Sequence, residues 1–254
     1  MIHLKSEQDL VAYRKTGQIG GEILTRLIAE VREGVSTYHL AKLAEKWIVD
    51  EYDAVPSSIG QYGFKFALCS SVNGVICHGV PSEAEILING DIINLDVTVK
   101  KHGFIADTSR MYIVGNATEE AARLCQITQE CMFRGIEQVK PGNTVGDLGF
   151  VIEKHATRHG YSIVREYCGH GIGRAMHEDP QITHYGKKGK GIPLEEGMVF
   201  TIEPMVNQGA AAIKYLPDNW TVVTKDGKLS AQWEHTIAVT KNGYEILTLR
   251  DEEK

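Results

Sequence analysis

At 254 residues the chain can form one large α/β domain or two fused halves around a sizeable buried core. Hydrophobic residues at 43% and charged residues at 24% exclude disordered and fibrous classes, and a net charge of -6 at pH 7 argues against nucleic acid as a specific partner, since phosphate binding needs a clustered positive field. No run approaches the ~20 apolar residues of a membrane span and the N-terminus lacks a signal peptide's apolar stretch, so a cytoplasmic location away from membranes is expected.

Taken in chain order, Ser6 with Asp9 reads as an N-cap and acidic first turn. Ile19, Ile23, Leu24, Leu27, Ile28 and Val31 then hold an apolar stripe at helical spacing, which predicts one long helix as far as Gly34. Thr37 is expected to cap a second helix with Leu40, Leu43, Ala44 and Ile48 on one face. The same grammar returns where Thr118, Glu119 and Glu120 open a helix to Val139, Pro141-Gly142 breaks it, and Thr144 caps another to about Arg158. Aligning Gly34 with Gly142 superimposes EVREGVST on QVKPGNT, which suggests a duplicated unit: halves of about 1–115 and 116–254 within a single catalytic domain spanning 1–254. Two α+β halves facing each other place a site in the cleft between them.

Strand signals fall at 92–99, 104–114, 162–167, 198–206, 220–224 and 235–240. Lys187, Lys188 and Lys190, spaced by glycine, read as a solvated loop. The five cysteines, at 69, 77, 125, 131 and 168, contain no C-x-x-C pair, so reduced and mostly buried thiols are expected.

Several of these strands carry an acidic residue in an apolar stretch, and a carboxylate buried without a partner is unstable. If KKHG (100–103) is a hairpin loop, Asp96 stands directly opposite Asp107 on the same face. Carboxylates that close repel unless cations lie between them, and a pair of metals is the usual arrangement. Glu203 and Glu234 lie in or beside two further apolar strand signals, and His170 sits in GHGIG, whose glycines permit a close backbone path. Four carboxylates offset two divalent ions, and oxygen donors with one imidazole favour manganese, iron, cobalt or zinc. The competing reading pairs these acids with Arg110 or lysines at strand edges.

The ordered set of CHGVP (77–81), INLDVTV (93–99), ADTSRMY (106–112), EYCGHGIGRAMHEDPQ (166–181), FTIEPM (200–205) and WEHTIAV (233–239) closely resembles type I methionine aminopeptidases over nearly the whole chain. The resemblance implies the α+β pita-bread fold, two pseudo-symmetric halves around a curved, mostly antiparallel sheet. It implies that Asp96 chelates one divalent ion (cobalt, manganese, iron, zinc or nickel), that His170 and Glu203 hold another, and that Asp107 and Glu234 bridge both. His78 and His177 then line the substrate site without ligating. A metal-bridging hydroxide would attack the first peptide bond, with Glu203 shuttling the proton and His177 donating to the carbonyl oxygen. The free α-amine can itself ligate a metal, which confines attack to the first residue.

By the same resemblance the methionine side chain is received by Ser58, Gln61, Phe64, Cys69, Met176 and Trp220. The chain departs from the family pattern with Gln61 where an aromatic is frequent and Met176 where Phe is frequent. Asn73, Val75 and Ser230 match positions whose backbone holds a monovalent cation in some relatives. The implied partner is the N-terminal methionine of nascent polypeptides, met by a monomer in transient association with the ribosome. Prolidases and aminopeptidase P share the five-ligand pattern but carry a large N-terminal domain, for which a first helix starting near Ser6 leaves no room. The short loop between His177 and Glu203 excludes the insertion of type II methionine enzymes. A non-catalytic paralogue would be expected to have lost ligands. A Cys77–His78 nucleophile pair is disfavoured because adjacent strand residues point to opposite faces.

Overall fold

Each of the four helices starts where a short polar side chain can satisfy a free backbone N–H. In the computed structural model, which describes residues 1–254, α1 spans Glu7–Leu27. Ser6 Oγ accepts from Asp9 N at 3.2 Å, while Asp9 Oδ2 accepts from Ser6 N at 3.0 Å. This helix ends a turn earlier than its apolar stripe. Ile28, Ala29 and Glu30 donate to carbonyls three residues back, so Val31 reaches the core from a turn. Helix α2, Thr37–Lys46, is capped by Ser36, whose Oγ accepts from His39 N at 3.1 Å. Thr37, the expected cap, is instead tied to Ser82 through both its hydroxyl proton and its oxygen lone pair. Helix α3, Glu119–Ile136, is capped by Thr118 and stops short of Val139. At the start of α4, Val145–Arg158, Asp147 Oδ2 accepts from both Thr144 N and Thr144 Oγ1.

All strand pairings are antiparallel. In a four-stranded sheet, Ile92–Lys101 pairs with Phe104–Ile113 on one edge, and with Leu68–Val72 and Val55–Pro56 on the other. A five-stranded sheet runs Gly243–Ile246, His235–Thr240, Val199–Ile202, Gly169–Gly171, Glu178–Ile182. The bridge between Ser109 and Glu234 joins the two. One apolar core gathers Ile23, Leu24, Leu40 and Ala44 of α1 and α2 with Leu68, Leu95 and Val97. Another gathers Leu124, Ile127, Leu148 and Ile152 of α3 and α4 with Phe200, Ile202 and Ile237.

Three expectations from the sequence change. The hairpin loop is the two-residue His102-Gly103, both at positive φ (53° and 83°), the conformation whose twist matches the flanking strands. Thr98 therefore faces Asp107 and Asp96 faces Ser109, so the two aspartates are diagonal neighbours on one face, not direct partners. The 198–206 segment breaks after Ile202, because Pro204 has no N–H to continue the ladder, and Met205–Asn207 joins a different sheet with Ser162–Ile163 and Ser230–Gln232. The 162–167 and 220–224 strands shorten to Ser162–Ile163 and Val222–Thr224.

Candidate metal centre

Asp96 and Asp107 project from neighbouring strands of the first sheet, while Glu203 and Glu234 flank strands of the second. His170 lies between two glycines chosen by crowding: a Cβ on Gly169 would stand 2.3 Å from Thr201 O, and one on Gly171 2.0 Å from Asp179 O. This close approach sets His170 Nε2 3.6 Å from Glu203 Oε1. Donor atoms of Asp107, His170 and Glu234 all lie within 4.8 Å of one another.

Hydrogen bonds from behind aim each donor. Thr98 Oγ1 donates to Asp107 Oδ1 at 2.9 Å. Thr201 Oγ1 accepts from His170 N at 3.0 Å and donates to Glu203 Oε1 at 2.8 Å, and Gln232 Nε2 donates to Glu203 Oε2 at 3.2 Å. His170 Nδ1 lies 3.0 Å from Gly171 O, which fixes the tautomer with the Nε2 lone pair facing the carboxylates, the usual preparation of a ligating imidazole.

Asp107, Glu203 and Glu234 are buried and Asp96 is half-buried, with its Oδ1 sealed and without a hydrogen-bond partner. No Lys or Arg forms an ion pair with any of the four; Arg110, the candidate partner, pairs with Glu252 instead. Burial, then mutual repulsion, pushes Asp96 and Glu234 well above the carboxylate range, and burial raises Asp107 and takes Glu203 up to about 8. Burial also lowers His170 to about 4, leaving it neutral at pH 7. Buried carboxylates without a cationic side chain, beside a neutral imidazole, fit divalent cations and disfavour the strand-edge reading.

These five residues line a cavity of about 760 Å³, which also brings together His78, His177 and all of Ser58, Gln61, Phe64, Cys69, Met176 and Trp220. Phe64 and Trp220 stack at 5.7 Å, the His78 ring lies 5.2 Å from Trp220, and His177 lies 4.5 Å from His170. His78 has φ +57°, so strand alternation stops at Cys77 and both residues line the cavity. The Cys77 thiol is still no nucleophile, since burial holds its pKa well above the usual thiol range. Away from this cavity, Asn73 O accepts from Ser230 N at 2.9 Å and Val75 begins the adjacent strand.

Sequence reasoning missed Thr98, Thr201 and Gln232, and also His184, whose Nε2 accepts from Glu203 N at 3.0 Å. Tyr62 and Tyr167 at the cavity were missed as well; the GQYGF and EYCGH segments held the only signal for them.

The model of metallopeptidase family M24 matches residues 11–241. The chain belongs to metallopeptidase family M24. The methionine aminopeptidase of Escherichia coli (strain K12) is 48% identical to this M24 chain over 252 residues, covering 99% of it and 96% of that protein. The crystal structure of methionine aminopeptidase from Rickettsia prowazekii has a TM-score of 0.96 at 45% identity, covering 98% of this chain and 100% of that one. The prolidase from Pyrococcus horikoshii OT3 has a TM-score of 0.76 at 24% identity, covers 98% of this chain and 64% of its own, and shares the fold alone. The architecture is the M24 pita-bread fold, with antiparallel sheets as expected.

Proposed function

We propose that this chain is a methionine aminopeptidase that removes the N-terminal methionine of new polypeptides and prefers a small second residue. The observation that carries this reading is the convergence of Asp96, Asp107, His170, Glu203 and Glu234 on the cavity that also holds the Phe64–Trp220 stack. Identity of 48% to the Escherichia coli enzyme over almost the whole chain supports the substrate class. Asp96 would hold one divalent ion and His170 with Glu203 the other, with Asp107 and Glu234 shared between them; cobalt, manganese, iron, zinc and nickel suit these donors. Bound there, the ions supply acidification of water and polarisation of the scissile carbonyl.

The chain's own groups do the rest. Glu203, braced by Thr201 and Gln232, moves a proton to the leaving amine. His177 donates to the carbonyl oxygen as its charge develops. His78, neutral because burial lowers it to about 4, holds the scissile amide. Phe64, Trp220, Met176 and Cys69, with Ser58 and Gln61 at their edge, receive the methionine side chain, the Met176 thioether suiting another thioether.

The same reading makes the chain a single catalytic domain of two related halves, a cytoplasmic monomer that meets nascent chains near the ribosome. No helix is long and apolar enough to cross a membrane. A monovalent cation on the backbone of Asn73, Val75 and Ser230 belongs to this reading, supported by the contact of Asn73 with Ser230. Metal-reconstituted hydrolysis of Met-Xaa peptides tests it: release of methionine from Met-Ala-Ser should be fast and decline as the second residue grows. Faster cleavage of Ala-Pro would assign the chain to prolidase-type chemistry instead.

A further inference from the structure

Outside the cavity that holds those ligands, three metal-type donors meet between α3 and α4. Glu130 on α3 lies with Oε2 2.7 Å from His155 Nε2 on α4, and the His155 ring stands 4.7 Å from that of His159, the residue that closes α4. We propose that Glu130, His155 and His159 form an additional cation site that takes a borderline transition ion, zinc foremost, and ties α3 to α4.

Two imidazoles at i and i+4 sit one above the other on a helix, and with one carboxylate they make a three-ligand zinc set that leaves water in the fourth position. Donor atoms of all three residues already lie within 4.8 Å of one another. Zinc bonds of about 2.0–2.1 Å at tetrahedral angles place donors roughly 3.3 Å apart, a distance that side-chain rotation reaches. His155 is buried and fixed by its bond to Glu130, which Gln126 Nε2 also holds at 3.0 Å, so two of three ligands are positioned beforehand. Burial lowers the His155 pKa, so its ring is neutral at pH 7 and can ligate through one nitrogen while its single proton sits on the other.

Two arginines oppose the ion, and one of them, Arg134, stands one turn along α3 from Glu130 and acts on both Glu130 and His155. Arg123 Nη2 lies 3.1 Å from His159 Nδ1, and its guanidinium also rests over the Tyr161 ring at 5.7 Å, where it can stay when the imidazole turns away. A Glu130–His155 contact serving only as a clamp between helices requires neither His159 nor any response to Arg123.

Zinc titrated into the full chain, with bound zinc counted per chain, separates these cases. Wild type should bind one equivalent more than H159Q, and E130Q, altered on the other helix, should lose the same equivalent. R123Q should keep it with affinity raised several-fold, because a competing positive charge is gone. All three variants should cleave Met-Ala-Ser at the wild-type rate, which shows that they fold and that the catalytic centre is intact. Equal zinc content in wild type and an active H159Q would overturn the proposal.

Discussion

Arg250 grips the backbone on which Glu234 is hung. Its Nη1 donates to Ser109 O at 3.1 Å and to Thr108 Oγ1 at 3.0 Å, and Thr108 Oγ1 donates to Glu234 O at 2.8 Å. Ser109 in turn pairs with Glu234 across the two sheets. The guanidinium is fully buried, with its charge met by Glu253 at 2.7 Å and its flank by His235 at 3.0 Å. Replacing Arg250 by Met leaves the sealed Glu253 carboxylate with only the His235 ring, 3.1 Å away, as a side-chain partner, a loss of about 3–5 kcal/mol. The variant should unfold at lower denaturant and bind manganese more weakly, both read by titration. Unchanged manganese affinity alongside lost stability would confine Arg250 to a role in folding.

A second prediction concerns pH in the metal-free chain. Glu203, held up to about 8 by burial, contributes stability that is complete below its unfolded value of 4.5 and is lost as pH rises through 8; Asp96 and Glu234 act in the same direction. His78 and His170, lowered to about 4, act oppositely, their contribution vanishing as pH falls from 6.5 towards 4. His184 and His235, lowered by burial to about 3 and 4, act as His78 and His170 do. Well above the unfolded value of 6.5 these four are neutral in both states, so towards pH 8 the carboxylates dominate and the chelated protein should lose thermal stability as pH rises. Divalent ions should restore it. A flat profile in the chelated protein would mean that the acids are not sealed together.

Local signals were legible and long-range ones were not. Ser6, Thr118 and Thr144 announced helix starts because a cap and its N–H lie within three residues. Asp96, Asp107, Glu203 and Glu234 were conspicuous because carboxylates have no business in apolar strands. The hairpin register came out two residues off, since KKHG gives no sign of where its strands stop pairing, although the shift keeps both aspartates on one face. Thr201, His184 and Arg250 were invisible for a different reason. Each acts on a ligand through one contact between segments remote in sequence or through an ordinary-looking residue, and nothing in THY or TLR marks it.

Gly171 offers a test of how the chain sets His170. A methyl group there would meet Asp179 O at 2.0 Å, and the obstacle is backbone, so the strand pair must part. G171A should shift His170 away from Glu203 and lower metal affinity at least tenfold, in line with the sensitivity of metal sites to ligand orientation. Metal bound per chain at a fixed free concentration measures this. Full metal content in a folded G171A would show that the crowding is relieved elsewhere.

The division of labour between ligands and substrate groups yields opposite mutant phenotypes. His177 is exposed at the cavity, 4.5 Å from His170, and no carboxylate holds it. H177A should therefore keep its metal while turnover on Met-Ala-Ser falls by about 10²–10³, the cost of losing one donor to a developing oxyanion. Asp107 sits amid the other carboxylates, within 4.8 Å of the His170 and Glu234 donors, so D107N should lose metal and activity together. Atomic emission on the purified variants separates the two outcomes. If H177A came out metal-depleted, His177 would join the ligand shell, and if D107N retained both ions and its activity, the shared carboxylate would have to be sought at Glu234 alone.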